Sequence, residues 1–230
     1  VIFNTFYSPV ADSGIPVVRN TEAEITYEMG VQMATQWIAA HPDEPIVFVQ
    51  IGWPDYPEVQ TGRSEPFSQG VLSVDDTATD LGTLDGSAGQ DQSKQVIIDT
   101  VTQHPEVNLI FGQASHVTVG IMAGLTQLGR GKMDDGVPLT EIVCSNDFDQ
   151  VEFKEIYDPS SSLKLSMALP TIETSYARID SLFDILNGTI PQTSQPPEIT
   201  WADCSVMSYW TTPRADSAAW LLEQFDVTVE

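Results

Sequence analysis

The residues of this chain best able to do chemistry are planar hydrogen-bonding groups set just after short apolar or β-branched runs. The run 1–3 is followed by Asn4, and 15–18 by Arg19, Asn20, Thr21 and Glu22. The run 46–50 leads into Gly52 and Trp53, with Arg63 further on. After 107–111 come Gln113, Ser115 and His116; after 141–144 come Asn146 and Asp147. Carboxamides exchange hydrogen bonds with hydroxyls in both directions, carboxylates accept from them, and arginine donates in a fixed fork. A tryptophan among such groups offers an apolar face, so the set suits a small polar or polyhydroxylated ligand. Nucleophilic chemistry has no comparable support. The sequence has no GxGxxG, phosphate loop, HExxH or GxSxG, and its three histidines lie far apart. We therefore expect no enzyme and no cofactor. Asp147, Asp149 and Glu152 cluster without calcium-loop spacing, and acids at a helix start are favoured by the helix dipole, so no metal is expected either.

Charge narrows the classes of partner. Thirty-three acidic residues against nine basic ones give a net charge of -24. That field opposes nucleic-acid binding and attachment to an anionic membrane surface. At 41% hydrophobic residues the chain can bury a core. No apolar run approaches the roughly 18 residues of a membrane span. The chain opens on Val1-Ile2-Phe3 without Met or signal peptide, as expected of a processed or truncated product. Cys144 and Cys204 lack metal-ligand spacing; they either form one disulfide or are small buried residues.

The elements that position these groups alternate strand and helix, which predicts an α/β fold with a largely parallel sheet. A helix is predicted from Thr21, where Thr21 and Glu24 form a capping-box pattern, through Ile25, Met29, Met33 and Trp37 to His41-Pro42. Further helices are predicted over 64–72, 90–103, 115–128, 150–157 and 171–186. The last sets Ile179, Leu182, Phe183 and Leu186 on one face and stops at Asn187-Gly188. Residues 189–197 read as a loop or hinge and 198–201 as a returning strand. Trp210, Trp220 and Phe225 are expected to pack a final helix. In a parallel sheet ligands bind beyond the carboxyl ends of the strands, where the polar groups above fall.

Several short motifs occur in a fixed order. They are Phe3-Asn4, then Gly14-Ile15-Pro16-Val17-Val18 and a helix with Tyr27 and Gly30. Next come Gly62-Arg63-Ser64-Glu65-Pro66-Phe67 and His104-Pro105-Glu106-Val107-Asn108-Leu109-Ile110-Phe111. Cys144-Ser145-Asn146-Asp147 and Leu169-Pro170, with a helix ending at Leu186-Asn187-Gly188, complete the series. Together, up to about Trp201, the series resembles the periplasmic binding protein type I superfamily, the ribose-binding-like substrate-binding proteins of sugar ABC transporters. The resemblance implies an α/β, periplasmic-binding-protein-like I fold: two parallel-sheet lobes with a hinge, the first lobe incomplete. Residues 1–20 would be the remainder of the first lobe and hinge, 21–188 mainly the second lobe with a hinge crossing, and 189–230 the hinge and return to the first lobe.

The same resemblance implies which residues touch the ligand. Asn4, Asn20 and Glu22 would reach it from the first lobe; Trp53, Arg63, Gln113, Ser115 and Asp147 from the second lobe or hinge. It implies a periplasmic or extracytoplasmic protein that clamps a small polar, sugar-like ligand and delivers it to a membrane permease. The alternative is a sensor that reports the ligand to a membrane histidine kinase. No nucleic acid and no direct membrane insertion are expected. The chain departs from the sugar binders at 86–89, where they commonly have an aromatic, at Ala114, where they have Asn, and near Thr21-Glu22, where their Asp-Arg pair is absent. The expected ligand is therefore other than ordinary ribose or galactose.

Overall fold

Strands covered on both faces read as continuous apolar runs, and helices above and below supply the cover. The computed structural model describes residues 17–19, 21–190, 198–200 and 203–229. Along the chain run β1 (Val17–Arg19), α1 (Glu22–Ala40), β2 (Val47–Gly52), a helical turn α2 (Pro57–Val59), a π-helical turn (Gln60–Ser64) and α3 (Glu65–Val74). They are followed by β3 (Thr79–Asp85), α4 (Gln90–Gln103), β4 (Leu109–Gly112), α5 (Ser115–Gln127), the small hairpin β5 (Met133–Asp134) and β6 (Val137–Pro138), and β7 (Ile142–Asn146). The remainder is α6 (Gln150–Ile156), β8 (Leu163–Ala168), α7 (Thr171–Leu186), β9 (Glu198–Thr200), β10 (Ser205–Ser208) and α8 (Arg214–Phe225).

Six strands form the main sheet in the order β10-β8-β7-β4-β2-β3. All its neighbours pair in parallel except β10, which runs antiparallel to β8. The alternation of side chains across the pleat divides the core in two. Phe48, Leu109, Phe111, Cys144, Leu165 and Met167 face Met29, Met33 and Trp37 of α1 and Phe67 and Val71 of α3. Val47, Val49, Ile51, Ile110 and Val143 face Ile97 and Val101 of α4, Val117 and Ile121 of α5, and Phe153 of α6. Helices α1 and α3 touch through glycines: a Cβ on Gly30 would lie 2.5 Å from the Phe67 carbonyl, so the crossing has no room for a larger residue.

The chain direction creates one crevice. From β2 it goes to the edge strand β3 and then returns past β2 to β4. The connections therefore diverge between β2 and β4, and in open α/β sheets ligands sit at such switch points beyond the strand carboxyl ends.

The structure places the expected elements with few shifts. The α/β architecture with a mostly parallel sheet is as expected, and helices α4 and α7 have the bounds read from the sequence. Helix α1 starts one residue after Thr21, but the Thr21 hydroxyl makes no cap bond to it and instead accepts the Cys204 backbone N–H at 2.9 Å. Strands β3 and β10 were not expected; β3 is an edge strand with exposed polar residues, so it lacks the apolar signature. Cys144 and Cys204 are free and buried, the second of the two alternatives. Trp220 packs against Phe148 with ring centroids 5.6 Å apart, so the last helix does close on the core. The expected strand 1–3, with Asn4, and Asn20 lie outside the described residues. Helix α7 differs most: its buried residues are Thr174, Ser181 and Ile185, while Ile179, Phe183 and Leu186 are exposed.

Candidate functional site

Arg63 stands at the centre of the carboxyl edge because of a local helix defect. From Pro57 to Val74 the chain is helical throughout, but Gln60–Ser64 form a π turn. A π turn inserts an extra residue and redirects the side chains around it, a feature frequent at functional sites. Here Arg63 reaches across to the start of α1 and the end of β4. Its Nε donates to Oε1 of Glu22, and its Nη1 donates to the Gln113 carbonyl. Glu22 is 1% exposed, so its carboxylate is a buried anion held beside a guanidinium. Oriented to satisfy both neighbours, Asn146 adds its Oδ1 as an acceptor of Arg63 Nε at 3.0 Å, while its Nδ2 donates to the Ser145 carbonyl at 3.1 Å. Thus the start of α1, the residue after β4 and the end of β7 converge on a guanidinium carried by the π turn.

Gln113 braces the crevice floor. Its side chain is fully buried and its Oε1 accepts the Trp53 backbone N–H at 3.0 Å. Its Nε2 donates to Ser64 Oγ at 2.6 Å and to Gln50 Oε1 at 3.4 Å. Gly52 makes this possible: a Cβ there would overlap Gln113 Oε1 and lie 2.6 Å from its Cβ and Cδ. Gln50, a polar residue inside an apolar strand, donates in turn to Ser64 O at 3.1 Å and Ser68 Oγ at 2.9 Å. The amide of Gln113 is thereby committed to the protein, and the part of Gln113 that meets Arg63 is its carbonyl.

The rim is formed by Trp53, His116 and Asp147. Trp53 is half-buried and meets the exposed His116 ring edge to face, with centroids 5.7 Å apart. Asp147 closes β7 with φ 71°, a left-handed conformation that costs a non-glycine residue about 1 kcal/mol. Such strain is retained where it aims a side chain, and the Asp147 side chain is open to solvent. Surrounding protein raises its carboxyl above the ordinary 3.8; Arg63 and His116 pull it down, and Glu22 and Asp149 push it up. The group still meets solvent, which screens these neighbours. Ser115 donates to Asp149 Oδ2 at 2.8 Å, while Asp149 Oδ1 caps α6 by accepting the N–H groups of Val151 at 2.7 Å and Glu152 at 2.9 Å.

Of the residues expected at the ligand, the structure brings Glu22, Arg63, Gln113 and Asp147 to one locus and sets Trp53 on its rim. Ser115 is one step away, tied to Asp149. Two contributors were not among the expected contacts, although Asn146 was named beside Asp147 in the sequence. Asn146 was visible as the polar residue ending β7, and Gln50 as an amide inside buried β2; neither signal says that Asn146 holds Arg63 or that Gln50 holds Gln113 and Ser64. Among the described residues no group of three or more His, Cys, Asp or Glu could hold a metal ion. No helix among them is long and apolar enough to cross a membrane.

No protein-family model matches the sequence, and no curated protein matches it. Solved structures match it in fold. The arabinose binding protein AraP from Geobacillus stearothermophilus superposes with a TM-score of 0.63 at 16% identity, covering 90% of this chain and 71% of that one. A galactofuranose binding protein gives 0.64 at 11% identity, covering 94% and 73%. GanP, a glucose-galactose binding protein from Geobacillus stearothermophilus, gives 0.61 at 13% identity, covering 89% and 73%. The chain therefore has the periplasmic-binding-protein-like I fold.

Proposed function

We propose that this chain is the ligand-binding part of an extracytoplasmic solute-binding protein that holds a small polar, sugar-like ligand and delivers it to an ABC transporter in the membrane. The observation that carries this reading is the Arg63 cluster. An arginine is fixed by a buried carboxylate, a backbone carbonyl and a carboxamide at the switch point of the sheet, with an aromatic and an exposed carboxylate on the rim. A guanidinium locked by its neighbours has little rotamer entropy left to lose, so it is preorganised to donate to ligand hydroxyls. Trp53 offers a ring for an apolar sugar face, and Asp147 accepts from a hydroxyl.

Solved structures of the same fold support this choice of ligand. They bind arabinose, glucose or galactose, and galactofuranose by their descriptions, and one is described with bound allitol. The proposed mechanism is non-catalytic. In this reading β1 and β9, which pair with each other apart from the six-stranded sheet, lead into the hinge and the first lobe, and closure of that lobe is favoured because only the closed state contacts the ligand from both sides.

The test is thermal melting with millimolar L-arabinose, D-galactose, D-allose and allitol. Saturation to about a hundred times Kd stabilises by about 2.7 kcal/mol, a rise of roughly 5–10 °C for a chain of this size. At least one of the four should raise Tm in this range, and Asp147→Asn together with Trp53→Ala should remove the rise. No shift with any of them would overturn the reading.

A further inference from the structure

Beneath the cleft lies a carboxyl group that the ligand does not need. Glu152 of α6 is 1% exposed. Its Oε1 meets the Ser145 hydroxyl from β7, and its Oε2 meets the Ser166 hydroxyl from β8 at 2.6 Å. Ser145 Oγ also bonds Thr118 Oγ1 of α5 at 2.7 Å, and Thr118 Oγ1 donates to the Ala114 carbonyl at 3.1 Å. One carboxyl thus joins α5, α6, β7 and β8 one residue below Asn146.

The ionisable groups around Glu152 are mostly acidic. Asp147 and Asp149 come from the β7–α6 turn, Cys144 from β7, and Glu155 with Lys154 from its own helix. On α5, His116 is turned to Trp53. On β8, Lys164 gives its ammonium to the carbonyls of Ile156 at 3.0 Å and Asp158 at 2.5 Å. On α8, Arg214 lies over the Phe153 ring at 5.0 Å. An ionised Glu152 would be a buried anion answered only by hydroxyls, a costly arrangement. A neutral acid fits the surroundings: the Ser145 hydroxyl has other acceptors in reach, Thr118 Oγ1 at 2.7 Å and the Asn146 carbonyl at 3.2 Å, which leaves its oxygen able to accept the proton of a neutral Glu152. Burial accordingly pushes its carboxyl up to about 8, against the lowering by the two serine hydrogen bonds.

We propose that Glu152 is a positioning residue of the cleft, an uncharged carboxylic acid that ties Ser145 to Ser166 and so holds the Asn146-Asp147 turn against Arg63. Ionisation breaks the donation to Ser145 and loosens the turn, which makes the cleft sensitive to alkaline pH. The consequence for binding rests on the proposed function, but the inference is tested on the turn itself. The folded state holds this proton more tightly than the unfolded chain. Its contribution to stability is therefore full below pH 4.5 and is lost as pH rises through about 8. Lys164, brought down to about 8 by burial, has the opposite sign: it costs stability where the unfolded lysine is charged, and that cost is relieved as pH rises from about 8 toward 10.5.

Backbone amide spectra of the protein and of Glu152→Gln, recorded from pH 7 to 9, separate the two groups. Glu152→Gln keeps a neutral planar group in place, and its melting temperature serves as the check of folding. In the wild type the Asn146 and Asp147 amide signals should move with a midpoint near pH 8. In Glu152→Gln they should stay fixed, while signals beside Lys164 titrate in both proteins. Static Asn146 and Asp147 signals in the wild type, or an unchanged midpoint in Glu152→Gln, would overturn the inference. A protein that binds no sugar but shows the titration loses the proposed ligand and keeps this positioning role.

Discussion

Helices α1 and α7 carry apolar stripes of the same period and dispose of them in opposite ways. In α1, Met29 and Met33 are fully buried and Trp37 is 2% exposed, pressed between the sheet and α3. In α7, Ile172, Tyr176, Ile179, Phe183 and Leu186 recur at spacings of three and four, yet Tyr176 is 66% exposed and Phe183 56%. The start of α7 is nonetheless anchored, because Gln224 of α8 accepts the Ile172 N–H at 3.1 Å and donates to Glu173 at 3.0 Å. The contrast separates two properties that periodicity alone merges. A stripe tells which face of a helix is apolar; only the rest of the fold tells what covers it. The α1 side is the platform that holds Glu22 against Arg63, whereas α7 leads away from the six-stranded sheet toward β9, which pairs with β1 instead.

The sharpest break of this comparison is at Phe67, fully buried between Phe48 and Phe111. Phe67→Ala should cost about 4 kcal/mol in denaturant unfolding, as expected for a fully packed aromatic. Next comes Arg63→Ala, which leaves the Glu22 carboxylate buried without its guanidinium; a loss of about 3 kcal/mol is expected. Glu22→Gln in the same background should recover part of that loss, and no recovery would mean that the pair does not act as a unit. Gly30→Val should cost about 2 kcal/mol, since the new side chain meets the Phe67 backbone rather than a movable side chain. At the small end, Phe183→Ser on α7 should change stability by no more than about 0.5 kcal/mol. A loss like that of Phe67→Ala would mean that the α7 stripe is covered in solution, and the two helices would then be alike.

Much of the platform was legible in the sequence. The runs that became β2, β4, β7 and β8 are apolar because both of their faces are covered, and the fourfold recurrence of Met29, Met33 and Trp37 marks α1. Edge strand β3 was illegible for the complementary reason: an exposed strand with Thr79, Asp80 and Asp85 has no apolar alternation to read. At the site, Arg63 and Asp147 stood out from the motifs around them, and the rule that ligands gather at strand carboxyl ends brought Trp53 and Gln113 into view. The tertiary details were not readable. That the Gln113 amide is spent on Trp53 and Ser64, that a π turn aims Arg63, and that Thr21 turns to Cys204 rather than capping α1 all depend on distant chain segments. Glu152 read as one more acid at a helix start because its burial depends on β7 and β8 closing over it.

On the proposed function, the ligand sits in the crevice between β2 and β4. The most direct measurement is amide chemical-shift mapping on addition of whichever of the four test compounds raises the melting temperature. The largest changes should fall at the backbone amides of Trp53, Gln113, Asn146 and Asp147 and at the indole N–H of Trp53. Changes centred instead on α7, or on the face between α5 and α6 remote from Arg63, would contradict that placement.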